Sequence, residues 1–139
     1  MGPTQEPFEF RATLTNLDQG LDLLHHSVEL LRRALGRASD DRPLILFETA
    51  LGEIGANVLT HGRPHGAAPP VEYHLHLESN RVLASFVDPG PPVHEHLARP
   101  MPGPSSEDGR GLVLARSLLD ELGYQRDGAV NRWQLVKRL

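Results

Sequence analysis

Between residues 71 and 88 the apolar positions fall on every second residue, and no other feature restricts the fold as tightly. Val71, Tyr73, Leu75 and Leu77 alternate with Glu72, His74, His76 and Glu78, and after Ser79, Asn80 and Arg81 the period resumes in Val82, Ala84, Phe86 and Asp88. A period of two belongs to strands with one buried face, and a short polar turn between two such runs predicts an antiparallel hairpin. Phe8, Phe10, Ala12 and Leu14, alternating with Glu9, Arg11 and Thr13, predict a first strand of the same kind. Helical spacing fills the gap between them. Leu17, Leu21, Leu24, Val28, Leu31 and Leu35 form one stripe of a helix ending near Gly36, and Phe47, Leu51, Ile54 and Val58 form that of a second. Ser39 and Asp40 are suitable caps for the second helix, Pro43 suits its first turn, and Gly62 and Pro64 should stop it near Thr60.

From Gly111 the residues Leu112, Ala115, Leu118, Leu119 and Leu122 predict a third helix capped by Gly123. Two short strands, near 124–126 and 131–138, should flank an Asp127-Gly128 turn. The economical arrangement is an α/β fold of the α+β type, a two-layer sandwich in which a mixed sheet is covered on one face by about three helices. A chain of 139 residues is the size of one domain, so 1–139 is read as a single unit. Residues 89–108 carry Pro89, Pro91, Pro92, Pro100, Pro102 and Pro104 with Gly90 and Gly103, show neither period, and are read as a mobile loop.

Composition removes several classes of function. The chain has no cysteine, which excludes disulfides, thiolate metal sites and thiol nucleophiles. A net charge of -4 without a basic block lacks the electrostatic footprint of a nucleic-acid binder. With neither a membrane-length apolar run nor a signal-peptide pattern, the expectation is a cytoplasmic protein.

Three stretches bring together residue types that can do chemistry. Glu53 and Asn57 are four apart and share one face of the second helix, beside the small Thr49, Ala50, Ala56 and Thr60. A carboxylate there can take a proton from a hydroxyl, and an amide oxygen one turn on can complete the oxygen shell of Mg²⁺; an ordinary solvated Glu and Asn pair is the plainer alternative. Asp88 ends the Val82, Ala84, Phe86 face and is followed by Pro89 and Gly90. Its carboxylate can accept from the exocyclic amine of adenine, where guanine presents a carbonyl, and the same residues also make a common turn. Gly109 and Gly111, on either side of Arg110, should precede the third helix, where unpaired N–H groups and the helix dipole favour phosphate. Neither a Walker P-loop nor a dinucleotide fingerprint is present.

The order and spacing of the three stretches resemble the GHKL (Bergerat-fold) ATPase and kinase superfamily. Glu53-x-x-x-Asn57 is similar to its N box, Asp88-x-Gly90 to its first glycine box and Gly109-x-Gly111 to its second, with an ATP lid at about 89–108. The compact chain and the phrase Glu-Ile-Gly-Ala-Asn-Val-Leu-Thr-His-Gly at 53–62 look like the anti-sigma-factor serine/threonine kinases. The resemblance implies ATP and Mg²⁺ as cofactors, Glu53 as general base, Asn57 as metal ligand, Asp88 as adenine reader with Gly90 beside it, and Gly109, Gly111 and Leu112 as backbone phosphate contacts. Arg110 would add charge near the γ-phosphate, and His61 lies one turn beyond Asn57 on the pocket-lining helix. As partners it implies a sigma factor and an anti-sigma-factor antagonist phosphorylated on serine, and it points to a homodimer. Two departures stand out: Pro92 replaces the second glycine of Asp-x-Gly-x-Gly, and the usual Gly-x-Thr is loosened to Gly128-Ala-Val-Asn131. The alternative is therefore an ATP-binding regulatory module of weak or no catalytic activity that acts through protein binding. A third reading uses the eight histidines for a metal, but His74 and His76 share a strand face while His61 and His65 straddle a broken helix end, so their spacing defines no site.

Overall fold

The computed structural model describes residues 8–61, 70–92 and 107–139. Its elements in chain order are β1 (Glu9–Leu14), α1 (Leu17–Leu35), α2 (Arg42–His61), β2 (Val71–Glu78), β3 (Arg81–Asp88), α3 (Glu107–Leu118), β4 (Glu121–Asp127) and β5 (Val130–Arg138). The five strands form one sheet in the order β1-β2-β3-β5-β4. The α+β two-layer sandwich is as expected, except that all four pairings are antiparallel where a mixed sheet was expected. Two hairpins with two-residue loops join β2 to β3 and β4 to β5, Glu78 pairing with Arg81 and Asp127 with Val130. Gly128 supplies the φ of 63° that the second of these loops requires.

Local chemistry sets the helix ends. Asn16 caps α1 by accepting from Gln19 N at 2.8 Å, and Gly36 closes it in the left-handed region at φ 68°. The cap of α2 is Asp41, whose Oδ2 accepts from Leu44 N at 3.2 Å, and not Ser39 or Asp40. The expected start and end of α3 both shift. The helix begins at Glu107, so Gly109 and Gly111 lie within it, and it ends at Leu118 without a glycine cap, its last carbonyl accepting from Lys137 Nζ at 2.9 Å. Asp120 then donates from its N to Val136 O at 2.9 Å and accepts from Arg138 N at 2.6 Å, which commits the chain to the sheet. Leu122 and Gly123 therefore belong to β4, where the alternation of Leu122, Tyr124 and Arg126 prevails over the helical spacing.

The core lies between the helices and one face of the sheet. Phe47, Leu51, Ile54 and Val58 of α2 meet Leu24, Val28 and Leu31 of α1 and the inward row Tyr73, Leu75, Phe86, Trp133 and Leu135. Leu17, the first residue of the expected α1 stripe, is 40% exposed and lies outside this core. α2 occupies the centre, packed on both other helices and on β3 and β5. Close approach is needed at Gly55, where a Cβ would collide with Leu24 Cδ1 and sit 3.6 Å from Phe86 Cζ. Gly55→Val is expected to destabilise the fold by about 1–3 kcal/mol through overpacking, read as a lower denaturant midpoint with unchanged slope.

Candidate functional site

α2 carries the first group of site residues because its apolar stripe faces the sheet and turns the adjacent face toward α3. Glu53 and Asn57 are half-buried on that face. A Cβ at position 111 would lie 2.8 Å from Glu53 Oε2 and 3.4 Å from Asn57 Nδ2, so both side chains reach the first turns of α3 at the point where it lacks a side chain. Leu112, next in sequence, is buried and anchors α3 in the core. No side chain among the described residues pairs with the Glu53 carboxylate. Asn57 Nδ2 is buried without a hydrogen-bond partner among the described residues, an arrangement that proteins rarely tolerate. A carboxylate and an unsatisfied amide one turn apart, beside the second turn of a helix, can accept a proton and offer hard oxygen donors to a cation.

The second group forms where β3 ends. Asp88 is 2% exposed and paired in register with Asn131 of β5. Its Oδ1 accepts from Gly90 N at 2.8 Å and Asn131 Nδ2 at 2.9 Å, and its Oδ2 accepts from Trp133 Nε1 at 3.3 Å. Burial pushes the Asp88 carboxyl above the usual aspartate range, opposed by hydrogen bonds from Asn131, the Gly90 N–H and Trp133 and by the charge of Arg126. Arg126 also donates to Gly90 O at 2.6 Å, so the first residues after the strand are tied to the β4–β5 hairpin.

The sequence matches the histidine kinase-like ATPase domain family over residues 15–137, nearly the whole chain. The chain belongs to that family. As a histidine kinase-like ATPase domain it is of the GHKL ATPase/kinase type, and membership implies ATP as its nucleotide. Among solved structures it is similar to the nucleotide-free catalytic domain of histidine kinase ThkA, with 15% identity, 96% of each chain covered and a TM-score of 0.49. No curated protein matches it significantly.

In this ATPase domain the sequence-derived residues fall into two clusters on the helix-covered side of the sheet. Glu53, Asn57 and Gly111 form one, with Leu112 turned into the core beside it, and Asp88 and Gly90 form the other. Gly55 of α2 packs over Phe86, two residues before Asp88. Gly109 lies in the first turn of α3. The side chains of His61 and Arg110, and residues 93–106 of the expected lid, are outside the described residues. Asn131 and Trp133 were not singled out from sequence as site residues, although both sit on the inward face of β5 opposite Asp88 and Phe86. The signal was the polar Asn131 at a buried position of an alternating strand. His74 and His76 stack at 4.9 Å on the outer face of the sheet, with His74 Nε2 3.0 Å from Glu9, away from both clusters. Among the described residues no helix is long and apolar enough to cross a membrane.

Proposed function

We propose that this domain is an ATP-dependent serine/threonine protein kinase of the anti-sigma-factor kind, which binds a sigma factor and phosphorylates an antagonist protein on serine. The observation that carries the reading is the placement against Gly111 of the Glu53 carboxylate, with which no side chain among the described residues pairs. A carboxylate beside the second turn of α3 can take the proton of an acceptor hydroxyl, while the dipole at the start of that helix favours the phosphoryl group. In this reading Asp88 accepts from the adenine amine, and Gly109, Gly111, Leu112 and Arg110 face the phosphates. The cytoplasm as compartment and a homodimer as assembly belong to the same proposal.

Asn57 and Glu53 fit a role beside Mg²⁺. The orphaned end of the Asn57 amide becomes an oxygen by a half-turn of the side chain, and Mg²⁺ takes few protein ligands because phosphates and water complete its shell. When bound, the ion neutralises phosphate charge. Asn57→Ala is expected to remove the increase in ATP affinity that Mg²⁺ provides, so that wild type and variant bind alike in a chelator and differ by about tenfold when Mg²⁺ is present.

Incubation with γ-labelled ATP and a candidate antagonist protein tests the main reading. Label on an antagonist serine is the expected result, and no transfer with any cognate partner would favour a regulatory module without catalysis. One observation favours that second reading. Arg126 and Asn131 hold the carbonyls of Gly90 and Pro91, and Pro92 follows where the superfamily pattern has glycine, which stiffens the entry to residues 93–106.

A further inference from the structure

We infer that Asn131 is the positioning residue of the base-reading corner: its single amide holds the Asp88 carboxylate and the two carbonyls that follow it in one arrangement, so nucleotide affinity requires a hydrogen-bond donor at position 131. This rests on the reading of Asp88 as the acceptor for adenine.

Asn131 is 1% exposed, and burying an amide is unfavourable unless both of its ends are paired. Both are. Its Oδ1 accepts from the Tyr124 hydroxyl and from Arg126 Nη1 at 3.2 Å. Its Nδ2 faces three oxygens, Asp88 Oδ1 at 2.9 Å, Pro91 O at 2.9 Å and Gly90 O at 3.2 Å. The amide can take only this orientation, because a flip would turn its N–H groups toward a guanidinium and its oxygen toward three acceptors.

The consequence concerns geometry and not packing alone. Asp88 and Asn131 are cross-strand partners, and β3 ends at Asp88, so beyond this point no ladder bond fixes the chain. Asn131 and Arg126 replace the ladder by holding Gly90 and Pro91 from the side. The carboxylate and the following backbone thus share one tether, and a base that pairs with Asp88 meets a pre-set acceptor. Among the described residues the ionisable groups facing this corner are Asp88 from β3 and Tyr124 and Arg126 from β4, and the other donors are Trp133 of β5 and the Gly90 N–H.

Asn131→Asp tests the inference, since it keeps the shape and leaves an acceptor for Tyr124 and Arg126 while replacing the donor by an oxygen. Calorimetric titration of ATP into wild type and variant gives their affinity ratio at each pH, which cancels the titration of ATP itself. At about pH 8 the variant is expected to bind at least about tenfold more weakly, and at about pH 5.5 the deficit should shrink to about threefold or less, because two facing carboxyls take up a shared proton that restores the bridge. A deficit that is equal at both pH values, or absent, overturns the inference. Should the variant lack a cooperative melting transition, Asn131→Thr and Asn131→Val replace it, being alike in shape with and without a donor. Thr is then expected to bind at least about fivefold more tightly than Val, and equal affinity overturns the inference. A wild type that does not bind ATP removes the reading of Asp88 as well, whereas ATP binding that is lost in Asp88→Asn but unaffected at position 131 removes this inference alone.

Discussion

Glu53→Gln is expected to slow phosphoryl transfer from ATP to a protein serine by roughly 10²–10⁴-fold, the range that removal of a general base produces, with ATP affinity changed by about twofold or less. Glutamine keeps the size of the side chain and its reach toward Gly111, so the space beside that glycine is filled as before. What it loses is the ability to accept a proton from the attacking hydroxyl. Stability should hardly change, because no partner among the described residues depends on the charge and the side chain is only half-buried. Single-turnover label transfer reports the rate and calorimetry the affinity. Loss of both together would mean that Glu53 holds the nucleotide and does not act on the acceptor. Full retention of rate would remove its role as base.

Much of this domain could be read from the order of its residues because its elements carry strong periods. The strand pair at 71–88 and the helix ending at Gly36 appear where the alternation, the stripe and the left-handed glycine place them. What the sequence left ambiguous is decided by contacts between distant segments. Leu118, Leu119 and Leu122 satisfy a helical period, yet Asp120 is drawn to Val136 and Arg138, which no local pattern reveals. The same holds for the sheet, whose entirely antiparallel pairing depends on β5 inserting between β3 and β4. At the candidate site, Glu53 and Asn57 were legible because i and i+4 positions share a helix face. Asn131 and Trp133 were not, since only the cross-strand register shows that they face Asp88 and Phe86.

Asp88→Asn is expected to lower ATP affinity by about 10- to 100-fold and to improve the relative binding of a 6-oxo purine nucleotide, because a site that loses its matched hydrogen bond presents the wrong partner. The direction follows from the donors already in place. Gly90 N–H and Asn131 Nδ2 both point at Oδ1, so an amide at position 88 would put its oxygen there and its NH2 where Oδ2 now lies. That NH2 repels the adenine amine and suits a carbonyl. The same carboxyl gives two opposite dependences on pH, which distinguish its role in binding from its role in folding. Burial raises its folded-state pKa above the ordinary aspartate value of 3.8, so the native state takes up the proton more readily than the unfolded chain. The stability it contributes is therefore fully present below that ordinary value and is lost as pH rises through the raised one. Base recognition runs the other way, since a protonated Asp88 offers a hydrogen where adenine needs an acceptor. As pH falls through this window, wild type should gain stability relative to Asp88→Asn while its advantage in ATP affinity declines. Melting curves and calorimetric titrations of the two proteins at matched pH measure both quantities, and a parallel rise or fall would show that Asp88 serves the fold and not the nucleotide.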